Sequence, residues 1–112
     1  MLTFKPSVLK ELKRIALDES PKEAVGLIDG VGNIYQLTNN HPEPESNFAI
    51  NKADLISLVE LNQLVVLTEL TLWHSHPGGG LGPSRFDLQN KTPFKYHLVV
   101  SLIEDDIKLT WY

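Results

Sequence analysis

The sequence predicts an α/β fold: a single domain over residues 1–112 whose mixed β-sheet is flanked by helices. Three observations point there. Helical periodicity and short strand-like runs follow one another in the order helix, hairpin, helix, strand, short helix, two strands, a pattern that suits a layered α/β domain. The chain has 112 residues, 42% of them apolar, which is enough for one core and too few for two. Neither an internal repeat nor a low-complexity segment suggests an array.

The first helix follows Pro6. Val8, Leu9, Leu12, Ile15 and Ala16 recur at three and four positions, Ser7 is a candidate cap, Glu11 is a loose first-turn acid, and the pattern runs to about Glu19. Lys10, Lys13 and Arg14 read as its solvated face. AVGLID then reads as a strand, DGVGN as a tight turn rich in residues that tolerate positive φ, and IYQLT as the antiparallel partner. NNHPEPES, residues 39–46, is polar and broken by prolines, so a surface loop is expected. Residues 48–50 read as a short extended piece, and Asn51 can cap a second helix carrying Leu55, Leu58, Val59, Leu61 and Asn62. Residues 64–67 fit either a helix end or a strand. LTLWHSH is a strand, TPFKYHLVVSLI is another after Pro93, and DIKLTWY closes the chain with alternating Ile107, Leu109 and Trp111 beyond an acidic turn. Trp73, Phe86, Trp111 and Tyr112 are expected in the core or at sheet edges.

Composition removes several classes of function. A formal charge of −4 gives no broad basic field, which argues against nucleic acid as a partner. Cysteine is absent, so disulfides, thiolate metal sites and cysteine nucleophiles are excluded, and any metal must be held by histidine and carboxylate. The stretch MLTFKPSVLKELKR lacks the form of a signal peptide, and the longest apolar run falls far short of a bilayer span. A soluble chain without membrane contact is expected, cytoplasmic or part of a larger assembly. Its apolar LTWY end is an edge that can pair with a partner domain or a second copy.

The chemistry concentrates in WHSHPGGGLGPSRFDL, residues 73–88. Alternate side chains of a strand share a face, so His74 and His76 can meet one ion while Ser75 faces away. Pro77 and the glycines that follow let the backbone turn sharply and stay low beside a bound group. Ser84 can then begin a short helix with Asp87 in its first turn, returning a carboxylate to the imidazoles. Two neutral imidazoles and one carboxylate fill three positions of a tetrahedral zinc and leave the fourth for water, whose pKa there falls to about 7. The same donors also make the facial triad of non-haem iron, although the chain is short for an oxygenase. Hydrolysis needs a further carboxylate that is not a ligand, to carry a proton to the leaving amine. Glu23 is the candidate, because a strand starting there can lie beside the His74 strand.

Each residue also has a plainer reading. The histidines alone are ordinary strand residues, Glu23 alone is a solvated loop acid, and Ser84 with Asp87 fits a helix cap. Capping and ligation are expected to compete for the Asp87 carboxylate. His41 in the proline-rich loop and His97 in a strand fall outside the set. GGGLG lacks the lysine and Ser/Thr that would complete a phosphate loop.

Glu23 in EAVGLI, then His74, Ser75, His76, Pro77, six residues, Ser84, two residues and Asp87 resembles the JAB/MPN (JAMM) metallopeptidase family in both order and spacing. The resemblance covers nearly the whole chain. It implies a cytidine-deaminase-like α/β fold, zinc on His74, His76 and Asp87, a proton shuttle at Glu23, an oxyanion donor at Ser84, and hydrolysis of a peptide or isopeptide bond by metal-activated water. Ala24 and Val25 stand where many relatives carry a cysteine beside the glutamate. The stretch from Glu23 to His74 and the tail after Asp87 leave little room for the insertions with which eukaryotic members hold ubiquitin. The compact form is similar to bacterial and phage members, and GGGLGPS to a loop of phage tail-assembly proteins. Implied substrates are peptides or proteins, including a ubiquitin-like modifier tail or a cell-wall peptide. The alternative is a non-catalytic or metal-stabilised assembly module, for example in a phage tail, where the location would be virion-associated.

Overall fold

The computed structural model describes residues 4–62, 70–89, 94 and 96–112. Its elements follow the expected order: α1 (Pro6–Glu19), β1 (Val25–Ile28), β2 (Ile34–Leu37), α2 (Lys52–Leu61), β3 (Thr71–His76), α3 (Arg85–Gln89), β4 (Tyr96–Ile103) and β5 (Asp106–Trp111). Residues 64–67, ambiguous in the sequence, and the start of the TPFKYHLVVSLI run at residues 92 and 93 lie outside the described residues.

The five strands form one mixed sheet in the order β2-β1-β3-β4-β5. β1 runs antiparallel to β2 and β3, β3 is parallel to β4, and β4 is antiparallel to β5. The three inner strands are buried along almost their whole length, so they read as continuous apolar runs, whereas β5 at the edge alternates. Val8, Leu12, Ile15 and Ala16 of α1 pack with Ala24, Ile28, Trp73, Leu98 and Val100 on one face. On the other face Val25, Leu27, Leu37, Phe48 and Leu72 cluster, with Leu55 and Leu58 of α2 packed against them. Among the described residues no helix is long and apolar enough to cross a membrane.

Helix starts are set differently from one another. In α1 the expected Ser7 cap is not used: Lys5 holds the cap position without a side-chain bond, Pro6 opens the first turn, and that turn holds no acid. A proline there forfeits only an N–H that the helix leaves unpaired in any case. In α2 the expected cap is present, with Asn51 Oδ1 accepting from Ala53 N at 2.8 Å and Asp54 N at 3.3 Å. The lysine and arginine face of α1 is solvated, with Arg14 pairing Glu11 and Asp18.

Residues 48–50 do not form a strand. The Asn39 side chain takes the Ala49 N–H at 3.1 Å, diverting it from any ladder, and Phe48 turns inward.

Candidate metal centre

The centre lies on the α2 face of the sheet, at the end where β3 finishes and β1 begins. Val25 pairs with His74, so the residue before β1 is carried to the tip of the histidine strand. Ser75, on the opposite face, secures that junction: its hydroxyl accepts the Ala24 N–H at 2.7 Å, and its own N–H reaches the Ala24 carbonyl at 2.9 Å. The Glu23 backbone is fixed from the other side, its N–H donating to Pro44 O at 2.7 Å and its carbonyl accepting from Asn39 Nδ2 at 2.9 Å. Asn39 also bonds Asn47 O and the N–H groups of His41 and Ala49. The proline-rich loop is thus a clamp on Glu23, and no expectation from the sequence assigned it that part.

All five sequence candidates come to this region. His74 Nε2 and His76 Nε2 are 3.2 Å apart, and Asp87 Oδ2 is 3.0 Å from the first and 3.2 Å from the second. Glu23, His74 and His76 each place a donor atom within 4.8 Å of the others. His74 and Asp87 are buried, and His76 is the more exposed imidazole. Ser84 and Asp87 form a reciprocal cap for α3: Ser84 N–H donates to Asp87 Oδ2 at 2.8 Å, and Asp87 N–H donates to Ser84 Oγ at 3.1 Å. The same oxygen, Oδ2, faces both the cap amide and the imidazoles, so the two roles expected to compete for this carboxylate meet on one atom. Ser84 Oγ only accepts in the cap, so its proton remains available to a further acceptor.

Electrostatics divide the carboxyl groups. Burial would raise Asp87, but bonds and charge from His74 and His76 and the Ser84 amide outweigh it and hold the group well below the ordinary carboxylate range. Glu23 lacks such donors. Burial pushes it up to about 7, the nearby His76 pulls it down and Asp87 pushes it further up. Its Oε1 is buried with no partner among the described residues. Burial lowers His74 against the pull of Asp87. His76 is raised: burial opposes, and Asp87, Glu23 and the Gly80 carbonyl prevail.

Phe48 was not legible as a site residue. Its ring stacks on His74 at a centroid distance of 4.5 Å and 28°, and it comes from an irregular segment with no period to betray it. Tyr112, expected in the core or at a sheet edge, also reaches the site, its ring 6.1 Å from His74 and 5.2 Å from His97. Trp73 is wholly buried and Trp111 packs against Phe4, as expected of core and edge aromatics. Phe86 instead meets His41 edge-on at 5.7 Å, joining α3 to the proline-rich loop.

The family described as prokaryotic homologs of the JAB domain matches residues 5–111. The chain belongs to the prokaryotic JAB-domain family. A curated relative of this JAB-domain chain, the "Probable TtuB-protein conjugate cleaving protease" of Thermus thermophilus, is 33% identical over 85 residues, covering 73% of the chain and 57% of the relative. The chain therefore spans little more than half of that relative's length. Two solved structures share the fold. The solution structure of a Desulfitobacterium hafniense protein superposes with a TM-score of 0.79 at 24% identity, over 99% of this chain and 82% of that one. A Salinibacter ruber protein gives 0.56 at 19% identity, over 98% and 80%. JAB domains usually bind zinc, and the donor set of this JAB domain fits that ion: two imidazole nitrogens and a carboxylate oxygen converge on one point beside a buried carboxyl oxygen that has no partner among the described residues.

Proposed function

We propose that the protein is a zinc-dependent hydrolase of amide bonds, with His74, His76 and Asp87 as the metal ligands, Glu23 as the proton carrier and Ser84 as an oxyanion donor. The observation that carries this reading is the convergence of His74 Nε2, His76 Nε2 and Asp87 Oδ2 within 3.2 Å of one another, next to a buried glutamate whose Oε1 has no hydrogen-bond partner among the described residues. When bound, zinc supplies a Lewis acid and brings the ionisation of water towards neutral pH.

The residues supply the rest. Asp87 stays anionic at any working pH and, with two neutral imidazoles, leaves the dication one net positive charge. Glu23, a buried carboxyl beside the proposed ligands, can take a proton from the attacking water and return it to the leaving amine within one cycle. Ser84 directs a hydroxyl proton to the carbonyl oxygen as negative charge develops there. The Phe48 ring stacks on His74, and the loop clamped on Glu23 fixes that residue's backbone.

The substrate class that follows is a protein conjugate joined through an amide or isopeptide bond, which accords with the name of the Thermus relative. The stretch between Glu23 and His74 leaves little room for an insertion that would hold a large partner, so a flexible modifier tail suits the site better than a folded surface. The test has two readouts. Protein purified without chelator is expected to carry about one zinc per chain by mass spectrometry, and Glu23→Gln is expected to keep that zinc while losing about 100-fold or more of turnover on an isopeptide substrate. A Glu23→Gln enzyme that cleaves at the wild-type rate, or a wild-type chain that takes up no zinc, overturns the assignment.

A further inference from the structure

β4 is apolar from Leu98 to Leu102 except at Ser101, a hydroxyl with no solvent exposure in the middle of the sheet. The register pairs Ser101 with His76 across the β3–β4 ladder, so both side chains rise from the same face. Ser101 Oγ donates to the Gly80 carbonyl at 2.6 Å, and His76 Nδ1 lies 3.1 Å from that same oxygen. A carbonyl oxygen only accepts, and it has two lone pairs. Both neighbours must therefore donate to it, so His76 carries a proton on Nδ1, and in the neutral ring Nε2 is left as the lone pair that an ion would take.

The carbonyl itself belongs to a segment with little of its own to hold it. Gly79 and Gly82 adopt φ of +83° and +72°, and the Gly79 N–H closes a single turn on His76 O at 3.1 Å. Glycines that can turn so freely can also turn away. His74 is wedged by the Phe48 ring, whereas His76 is more exposed and depends on a hydrogen bond for its orientation. Ser101 is the group that ties that bond to a strand paired on both sides.

We propose that Ser101 is a positioning residue: through the Gly80 carbonyl it fixes His76 in the Nδ1–H tautomer and so keeps Nε2 free to ligate. The inference rests on the metal reading above for its consequence and not for its geometry. The opposite tautomer would put a proton where the ion must sit, and the hydrogen bond made by the other ring nitrogen is what selects between the two.

The experiment uses the full chain. In metal-free protein at mildly alkaline pH, long-range 1H–15N spectra of the histidine rings are expected to show His76 as one Nδ1–H tautomer. Ser101→Ala is expected to give averaged tautomer shifts at His76 and a zinc affinity, measured by chelator competition, about 10- to 100-fold weaker. Ser101→Thr keeps the hydroxyl and is expected to recover both. The proposal is overturned if wild-type His76 carries its proton on Nε2, a result that needs no variant to fold. It is equally overturned if Ser101→Ala retains both the single tautomer and the wild-type affinity. A wild-type chain that shows the Nδ1–H tautomer and takes up no zinc defeats the metal reading alone.

Discussion

Glu23 sits where ionisation is costly, and that cost should be measurable without any substrate. The residue is 5% exposed, and its carboxyl's ordinary value near 4.5 is moved to about 7, chiefly by burial. In that interval the folded, metal-free chain holds a proton that the unfolded chain releases. The contribution of Glu23 to stability is therefore fully present below about 4.5 and is lost as pH rises through about 7. At 1.36 kcal/mol per unit, the loss is on the order of 3 kcal/mol. Glu23→Gln has no such proton, so with zinc chelated its denaturant midpoint should fall less than that of the wild type between mildly acidic and mildly alkaline pH. Parallel profiles for the two proteins would show that Glu23 is not desolvated. The pairings of His74 with His76 and of Ser84 with Asp87 were legible because spacing on a strand and in a first helical turn is a local property, whereas Glu23, far away in the chain, was singled out mainly by the family resemblance. Its burial and its clamping by Asn39 were not legible, since both depend on a loop that returns from 16 residues away.

At the scale of elements, the same division between local and distant causes decides what could be read. The β1–β2 hairpin and the Asn51 cap of α2 follow from turn and cap chemistry within a few residues, and both appear where the sequence places them. The start of α1 and the irregular course of residues 48–50 do not, because Pro6 displaces Ser7 from the cap and the Asn39 side chain removes the Ala49 N–H from strand pairing. Gly26 is a further case in which the tertiary reason is invisible in the sequence. A Cβ built there would lie 2.9 Å from the Trp73 ring and closer still to the Tyr35 carbonyl, so only glycine lets that indole close over β1. Gly26→Ala should therefore cost about 1–3 kcal/mol, a fall of several degrees in Tm for a domain of this size. Because Trp73 adjoins His74 and lies under the same ladder, zinc affinity should fall with it. A thermal melt indistinguishable from wild type would mean that β1 and β2 can separate without loss, and that the close approach has no energetic weight.

For the molecule as a whole, the proposed ion joins three segments that share no element: the entrance of β1, the end of β3 and the first turn of α3. The sheet does not need that bond, because its core on both faces is continuous without the centre. α3 is different. It has five residues, Asp87 is its one buried side chain, and Leu88 remains 54% exposed. A helix so short has no stability of its own and must be held by what it touches. Among the described residues its contacts include the Ser84 cap, the Phe86 ring against His41 and the Asp87 carboxylate among the imidazoles. Zinc binding to the folded chain should add about 2.7 kcal/mol at a hundredfold excess over Kd, and removing it should not affect all elements equally. In metal-free protein, amide exchange should rise in α3 while the inner strands β1, β3 and β4 keep their protection, since local opening of α3 exposes almost no apolar surface. If chelation instead accelerated exchange evenly across the sheet, the ion would be part of the global fold. If it left α3 as protected as before, Asp87 would be held by its cap alone, and its place among the proposed ligands would fall.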